Sequence, residues 1–272
     1  MKKHFLVLFG LLCYLGFSTE LYAVPVLQLG VSDGAGGYVP YTSNSSDPTE
    51  TDTAITNGDK ILAAAAFGND NGKVIVNIGG QYLTGKDWSD FGFDSVFNGA
   101  GALIMATVPD GTLDSGALTI NGQASIYFTA IFESGFAMPN PPSNHDPVKD
   151  NDYLFFDIGE FSKGWGIVPD FADSSQGNSA GEIKELTIVP VGFEWIHFDL
   201  FALVTDETGN TNIKITTDLS GNPGSHDVTW KNTDDGDTDD EGGPDPVPEP
   251  ASLLLMGFGL LGLSFGLRKK NR

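Results

Sequence analysis

Cysteine and arginine are nearly absent from the 272-residue chain, and histidine is scarce. The single cysteine, Cys13, lies in an apolar segment near the N-terminus. The rest of the chain can therefore form no disulfide, no thiolate metal site and no cysteine nucleophile. A domain without such crosslinks must be held together by burial of its core, and about 220 residues suffice for one substantial domain.

The charge of the chain is strongly unbalanced. Residues 24–250 contain eight lysines, no arginine and 35 acidic residues, which gives a net charge of −27. Such a surface repels nucleic acids and anionic lipids and attracts cations, which argues against binding of DNA or RNA. The lack of arginine also removes the usual bidentate clamp for phosphate or carboxylate ligands.

The N-terminus has the pattern of a secretory signal peptide. Residues 1–4 form a short positive start, and residues 5–17 form an uninterrupted apolar core. A polar break then leads to Leu21-Tyr22-Ala23, so we expect residues 1–23 to be removed by cleavage after Ala23. An uncleaved membrane anchor is the alternative interpretation of this segment.

The last 26 residues contain a second apolar segment. Residues 251–267 carry no charge and would span roughly 25 Å as a transmembrane helix, slightly less than a hydrocarbon core of about 30 Å. The basic cluster that follows favours a cytoplasmic C-terminus, with the preceding residues on the other side of the membrane. The flanking residues are a proline-containing tetrapeptide, Val247, Pro248, Glu249 and Pro250, and the basic cluster itself, Arg268, Lys269, Lys270 and Arg272.

These three parts, in this order, resemble the PEP-CTERM protein-sorting signal of Gram-negative bacteria. The resemblance covers residues 247–272 and implies that Pro248, Glu249 and Pro250 are recognised by an exosortase, a membrane-embedded processing enzyme. It also implies that the tail is cleaved and that the rest is passed to the cell surface or to the extracellular polysaccharide matrix. The chain would then be the substrate of an enzyme and not itself an enzyme. A permanent tail anchor without processing is the alternative.

The residues between the two ends are typical of short β-strands joined by tight turns. Gly, Thr, Asn and Asp are abundant, and no stretch there shows the apolar spacing of an amphipathic helix. We predict an all-β fold, an antiparallel β-sandwich or jelly-roll, over residues 24–232. Asn71-Gly72 is expected to join residues 63–67 to residues 74–78 as a hairpin, and Asn121-Gly122 to form another turn. The predicted strands are 24–31, 60–67, 73–78, 102–108, 117–120, 124–132, 153–158, 182–191, 195–204 and 211–216.

Residues 233–246 are expected to be an extended spacer between this domain and the membrane. Their acidic, glycine- and proline-containing composition cannot bury a core. Because calcium takes oxygen ligands, the run also offers a candidate calcium site, with a solvated spacer without a bound ion as the alternative. Asn69-Asp70-Asn71-Gly72 resembles part of a calcium loop but lacks the downstream glutamate. The candidate ligands in the spacer are Asp234, Asp235, Asp237, Asp239 and Asp240.

His197 and Asp199 offer the best spacing for chemistry. Alternation along residues 195–204 places both side chains on one face of a strand, opposite Ile196 and Phe198. The pair can bind a metal or act in acid–base chemistry, but ordinary hydrogen bonds on a solvated or edge face are the interpretation that the sequence favours.

The other histidine–aspartate pairs, His145-Asp146 and His226-Asp227, are adjacent in predicted loops, where neighbouring side chains diverge. The sequence has no HExxH helix, no Gly-x-Ser-x-Gly elbow and no phosphate-binding glycine loop. No catalytic residue is therefore assigned.

Aromatic residues indicate an alternative function. They can include a sugar-stacking platform, although most large aromatics in a disulfide-free β domain belong to the core. We therefore expect a structural or adhesive surface protein, with a carbohydrate-binding module as the alternative and a secreted hydrolase as the third. A hydrolase would need a defined carboxylate pair, and none can be singled out among 35 acidic residues. The aromatic candidates are Trp88, Trp165, Trp195, Trp230, Tyr38, Tyr41 and Tyr82.

The body of the chain also resembles the exported bacterial domains called choice-of-anchor proteins, in which related ectodomains carry different C-terminal anchors. The resemblance depends on Val26-Leu27-Gln28-Leu29, Ile196-His197-Phe198-Asp199-Leu200 and Gly224-Ser225-His226-Asp227-Val228. It implies a single surface domain without an assigned activity.

Overall fold

The computed structural model describes residues 24–43, 51–70, 73–79, 84–129, 151–175, 177–209 and 211–232. The predicted signal peptide, the acidic spacer and the C-terminal segment 247–272 lie outside the described residues. Within the described ranges, no helix is both long enough and apolar enough to cross a membrane.

Strands dominate this part of the chain, as the sequence predicts. The helical elements that it contains are two short 3-10 helices, Trp88–Phe91 and Ser95–Phe97. The strands are β1 (Leu27–Gly30), β2 (Tyr41–Ser43), β3 (Thr51–Thr56), β4 (Lys60–Ala66), β5 (Asn69–Asp70), β6 (Lys73–Ile78), β7 (Ala102–Val108), β8 (Ala117–Ile120), β9 (Tyr127–Thr129), β10 (Asp152–Gly159), β11 (Gly166–Pro169), β12 (Asn178–Val191), β13 (Trp195–Thr208), β14 (Lys214–Gly221) and β15 (Asp227–Lys231).

The strands form two sheets. The smaller has five strands in the order β1-β4-β12-β11, with β8 paired to β12. The larger has ten, with a main path β2-β3-β15-β13-β7-β10-β9; β14 and β6 also pair with β13, and β5 pairs with β6. The pairs in the described ranges are antiparallel except β3 with β15, which is parallel.

The main core lies between these two sheets. Leu27, Ile61 and Leu186 of the smaller sheet and Ile104 and Phe198 of the larger one belong to a single buried cluster. Full burial of each such side chain contributes roughly 1.5–3 kcal/mol relative to exposure. The predicted antiparallel β-sandwich is therefore confirmed.

β13 is the central strand of the larger sheet. Its first half lies between β15 and β7, and its second half lies between β14 and β6. Ile196 and Phe198 face the main core, whereas Phe201 and Leu203 face the opposite side of the sheet. The two faces that alternation predicts for this strand are therefore present.

A second apolar cluster covers part of the outer face of the larger sheet. Asp87 and Asp94 cap the two 3-10 helices, which place Trp88 and Phe97 edge-on against Phe93. Phe97 also packs against Phe155 of β10, with ring centroids 5.1 Å apart. Over this area the larger sheet is buried on both faces, which the sequence analysis did not predict.

Of the two predicted glycine turns, Asn121-Gly122 is confirmed, and Asn71-Gly72 lies outside the described residues. Asn121 and Gly122 have φ values of 52° and 74° and close a two-residue hairpin of the type that favours such residues. The strands on either side of Asn71-Gly72, β5 and β6, pair antiparallel. The predicted partner of residues 74–78, residues 63–67, is wrong, because β4 lies in the smaller sheet and β6 in the larger one.

Candidate functional site

A histidine and two aspartates converge on the outer face of the larger sheet. His197 and Asp199 come from β13, and Asp227 comes from the adjacent β15. The antiparallel register pairs His197 with Thr229. Asp199, two residues after His197, therefore neighbours Asp227, two residues before Thr229, on the same face of the sheet. We call these three residues the His–Asp cluster.

The ligand atoms of the His–Asp cluster all lie within 4.8 Å of one another. Nε2 of His197 is 3.4 Å from Oδ2 of Asp227 and 3.8 Å from Oδ2 of Asp199, and the three side chains are at most 4% exposed. Within the part of the chain that the structure describes, Oδ2 of Asp199 accepts no hydrogen bond. Imidazole nitrogen and carboxylate oxygen are both ligands of divalent transition metals.

Hydroxyl groups orient the imidazole of the cluster. Nδ1 of His197 is 2.9 Å from Oγ1 of Thr229, and that oxygen is 3.0 Å from Oγ1 of Thr53 on β3. On the other side, β7 pairs Thr107 with His197. The hydrogen bond at Nδ1 leaves Nε2 directed toward the two carboxylates.

Burial sets the protonation of the cluster. Burial raises the pKa of Asp199 to about 7; the charge of His197 opposes this shift and that of Asp227 adds to it. Burial also lowers the pKa of His197, against the opposing effect of the Asp199 carboxylate. At neutral pH the imidazole is therefore neutral and has an unprotonated ring nitrogen, which is the form that binds a metal.

The environment of His197 and Asp199 differs from the one that the sequence favoured. The two side chains share a face, as predicted, but they are 1% and 3% exposed and lie on a central strand. The interpretation as a solvated or edge face is therefore wrong. The prediction failed because period-two alternation identifies the two faces of a strand but does not show whether the second face is covered by other residues.

The adjacent residues His226 and Asp227 diverge, as expected for neighbours on a chain. Nε2 of His226 is 3.0 Å from Oδ1 of Asp170, whereas Asp227 faces His197. Asp227 was not predicted to lie near His197, because β15 was not among the predicted strands. The available signal was the polar-apolar-polar pattern of Asp227-Val228-Thr229, which matches that of residues 197–199. The third pair, His145-Asp146, lies outside the described residues.

The aromatic candidates divide by exposure. Trp88 is fully buried, and Trp195 and Trp230 are partly buried. Trp165 is 79% exposed and immediately precedes the edge strand β11, on which Ile167 is 60% exposed. The ring of Tyr38 packs at a tilt against Phe171, and that of Tyr41 against His226. Tyr82 lies outside the described residues.

A family model described as the PEP-CTERM protein-sorting motif matches residues 246–270. The resemblance seen in the sequence is thereby confirmed, and the chain carries this sorting motif. The match supports export, association with a membrane and sorting by an exosortase. Neither the curated proteins nor the solved structures that were compared match the chain. The choice-of-anchor resemblance finds no support in these comparisons.

The structure does not describe the sorting residues or the candidate calcium ligands of the acidic spacer. All of these residues lie outside the described part of the chain, and their roles stay predictions. They are Ala23, Val247–Pro250, the basic cluster at 268–272 and the five spacer aspartates. The candidate calcium loop at 69–72 is described only in part, and its first two residues form β5.

Proposed function

We propose that the chain is an exported protein of the cell surface or extracellular matrix with a structural or adhesive role. The observation that carries the proposal is the PEP-CTERM motif at residues 246–270, downstream of a β-sandwich. In the proposed organisation the signal peptide is removed after Ala23, and residues 24–232 form the ectodomain. Residues 233–246 are a spacer, and residues 247–272 are the sorting signal.

The composition of the ectodomain suits this role. A net charge of −27 over residues 24–250 keeps the domain hydrated and separated from other acidic chains. The proposed role requires no catalysis, since the chain acts as the substrate of an exosortase and then as a component of the surface or of its polysaccharide. The described residues form a sandwich with a buried apolar core and contain no cysteine, so no disulfide crosslinks them.

The sorting step is tested by replacing Pro248 and Glu249 with alanine in the full chain. We expect wild-type protein to lose the mass of its tail and to leave the membrane fraction in a host with an exosortase. The variant should keep its full mass and stay in the membrane fraction. The readouts are intact-protein mass spectrometry and cell fractionation.

A matched control replaces Pro244 and Asp245, which are the same kinds of side chain just outside the matched residues. This control should be processed like wild type. Processing of the Pro248 and Glu249 variant at the wild-type rate, or unchanged processing in a host without an exosortase, would contradict the proposed sorting.

Carbohydrate recognition is a second candidate, and the exposure of Trp165 favours it. An exposed indole beside a second exposed apolar side chain, Ile167, offers a flat surface on which a sugar ring can stack. In a screen against matrix polysaccharides, Trp165→Ala should weaken binding at least about tenfold, the effect of losing about 1.4 kcal/mol. Phe128→Ala, which removes another exposed aromatic ring (67% exposed) from β9 of the larger sheet, is the control. Equal binding by both variants and wild type would remove this candidate.

A further inference from the structure

We propose that His197, Asp199 and Asp227 form a buried binding site for one divalent transition-metal ion. The three residues supply one nitrogen and two oxygen ligands from adjacent strands, β13 and β15. This site is separate from the acidic spacer in which the sequence suggested calcium, and it does not depend on the proposed sorting or on sugar binding.

The distances fit a small cation. Ligand atoms about 2.0–2.2 Å from a zinc ion are about 3.3–3.6 Å apart at tetrahedral angles. Nε2 of His197 lies 3.4 Å and 3.8 Å from the nearest carboxylate oxygens of Asp227 and Asp199. Small rotations of the side chains therefore bring the three atoms to coordinating separations without movement of the strands.

The hydrogen bonds around the cluster resemble those of metal sites. A metal-bound imidazole commonly donates its second ring N–H to an oxygen, which fixes the ring. Thr229 is in position to accept that bond from Nδ1 of His197, and Thr53 is in position to support Thr229. The side chain of Asp199 is buried, and within the described residues its Oδ2 accepts no hydrogen bond and lies 3.8 Å from Nε2.

The charge of the cluster also favours a dication. His197 can neutralise at most one of the two carboxylates, even when it is protonated. Buried charges are normally paired or bound to a metal, because their transfer from water is costly. A divalent ion balances both carboxylates at once and leaves the imidazole neutral.

The donor set selects the class of metal. Calcium takes six to eight oxygen ligands, whereas an imidazole with two carboxylates suits zinc and the neighbouring divalent transition metals. A water molecule can supply the fourth ligand. In a domain without disulfides the ion would crosslink β13 to β15.

The test uses the full chain, purified in a mild detergent and studied in excess Mg²⁺ to occupy surface carboxylates. We expect inductively coupled plasma mass spectrometry to find about one equivalent of transition metal per chain. After EDTA treatment, added Zn²⁺ should raise Tm by about 5–15 °C. Added Co²⁺ should give the visible absorption of a low-coordinate nitrogen and oxygen site.

Asp199→Asn removes one charged ligand while keeping the shape of the side chain, and it should lose the Zn²⁺-dependent shift and the Co²⁺ absorption. Asp170→Asn, in the second His–Asp pair, is the matched control and should keep both signals. The proposal is overturned if Zn²⁺ leaves the Tm of the wild-type chain unchanged. An equal Zn²⁺ shift in Asp199→Asn and wild type would also overturn it, because the ion would then bind elsewhere.

Discussion

The described domain contains two histidines that face aspartates, and their geometries differ. Nε2 of His226 is 3.0 Å from Oδ1 of Asp170, a direct hydrogen bond at a partly buried position. Nε2 of His197 instead points between two carboxylates, at 3.4 Å and 3.8 Å, in a site that is almost fully buried. A direct hydrogen bond closes the space between two groups, whereas two longer separations leave room for a cation.

Histidine and aspartate therefore serve different purposes at the two sites. His226 joins the loop before β15 to the loop after β11, and Asp170 also accepts the N–H of Ala172. These hydrogen bonds make the His226–Asp170 pair a direct link between the two loops. The His–Asp cluster places more negative charge in a drier environment, so a metal or a proton has to balance it. If the two sites differ in this way, substitutions in the His–Asp cluster should change stability more than substitutions of His226 and Asp170.

Replacement of His197 by alanine should have the largest effect. It leaves a cavity and two buried carboxylates without the imidazole, so we expect the free energy of unfolding to fall by about 3–5 kcal/mol. His226→Ala should cost less, about 1–2 kcal/mol, because its hydrogen-bond partners Asp170 and Ser225 are nearer to solvent and it leaves no buried pair of carboxylates. Urea unfolding of both variants measures this difference. Equal losses would mean that the two histidines are energetically alike.

In the metal-free protein, the stability of Asp199→Asn relative to wild type should increase as the pH rises. Burial, opposed by His197 and assisted by Asp227, raises the pKa of Asp199 from 3.8 to about 7 in the native state. Between pH 4 and pH 7 the native carboxyl therefore keeps a proton that the unfolded chain releases, so this group lowers stability as the pH increases.

The amide cannot titrate, so the advantage of Asp199→Asn over wild type should grow from about pH 4 and level off above about pH 7. We expect it to reach roughly 1–3 kcal/mol. Thermal unfolding in EDTA across this pH range is the measurement. A difference that does not change with pH would show that the carboxyl is not shifted.

Thr229→Val should weaken the cluster through the orientation of its imidazole. The substitution keeps the volume of the side chain but removes the oxygen 2.9 Å from Nδ1 of His197 and the contact with Thr53. We expect a loss of about 1–2 kcal/mol in stability and a fall of about 10–100-fold in Zn²⁺ affinity. Competition with a chromophoric chelator measures the affinity, and Thr216→Val, in the same sheet, is the control. An unchanged affinity would contradict an orienting role.

Asp170→Asn should have the smallest effect. Asparagine keeps an oxygen that can accept the bonds from His226 and from Ala172, so we expect a loss of about 0.5–1 kcal/mol. Its response to Zn²⁺ should equal that of wild type. A larger loss than that of Thr229→Val in urea unfolding would reverse the order proposed for the two sites.

The sequence predicted features that depend on neighbouring residues. The two faces of β13 follow from alternation around His197, and the Asn121-Gly122 turn follows from residues that tolerate positive φ. The sorting motif is likewise a linear pattern at residues 246–270, so it could be recognised without the fold.

Features that depend on distant pairing were not predictable in the same way. Asp227 reaches His197 only because β15 pairs with β13, and a five-residue strand with alternating polar residues is a weak signal. The segment around Trp88 lacks any strand or helix periodicity, yet it covers the outer face of the larger sheet. Residues 63–67 are apolar enough for several partners, and only the tertiary structure assigns them to the smaller sheet.

The position of β15 has a consequence for the order of folding. This last strand of the described domain does not lie at an edge of the larger sheet but between β3 and β13. Until β15 pairs with both, β3 has no connection to β13. The contacts of β15 with residues 53–56 close a loop of more than 170 residues, and such long closures are slow. β2 and β3 therefore join the rest of the larger sheet only once β15 is in place, so this sheet cannot be completed before the last strand of the domain is available.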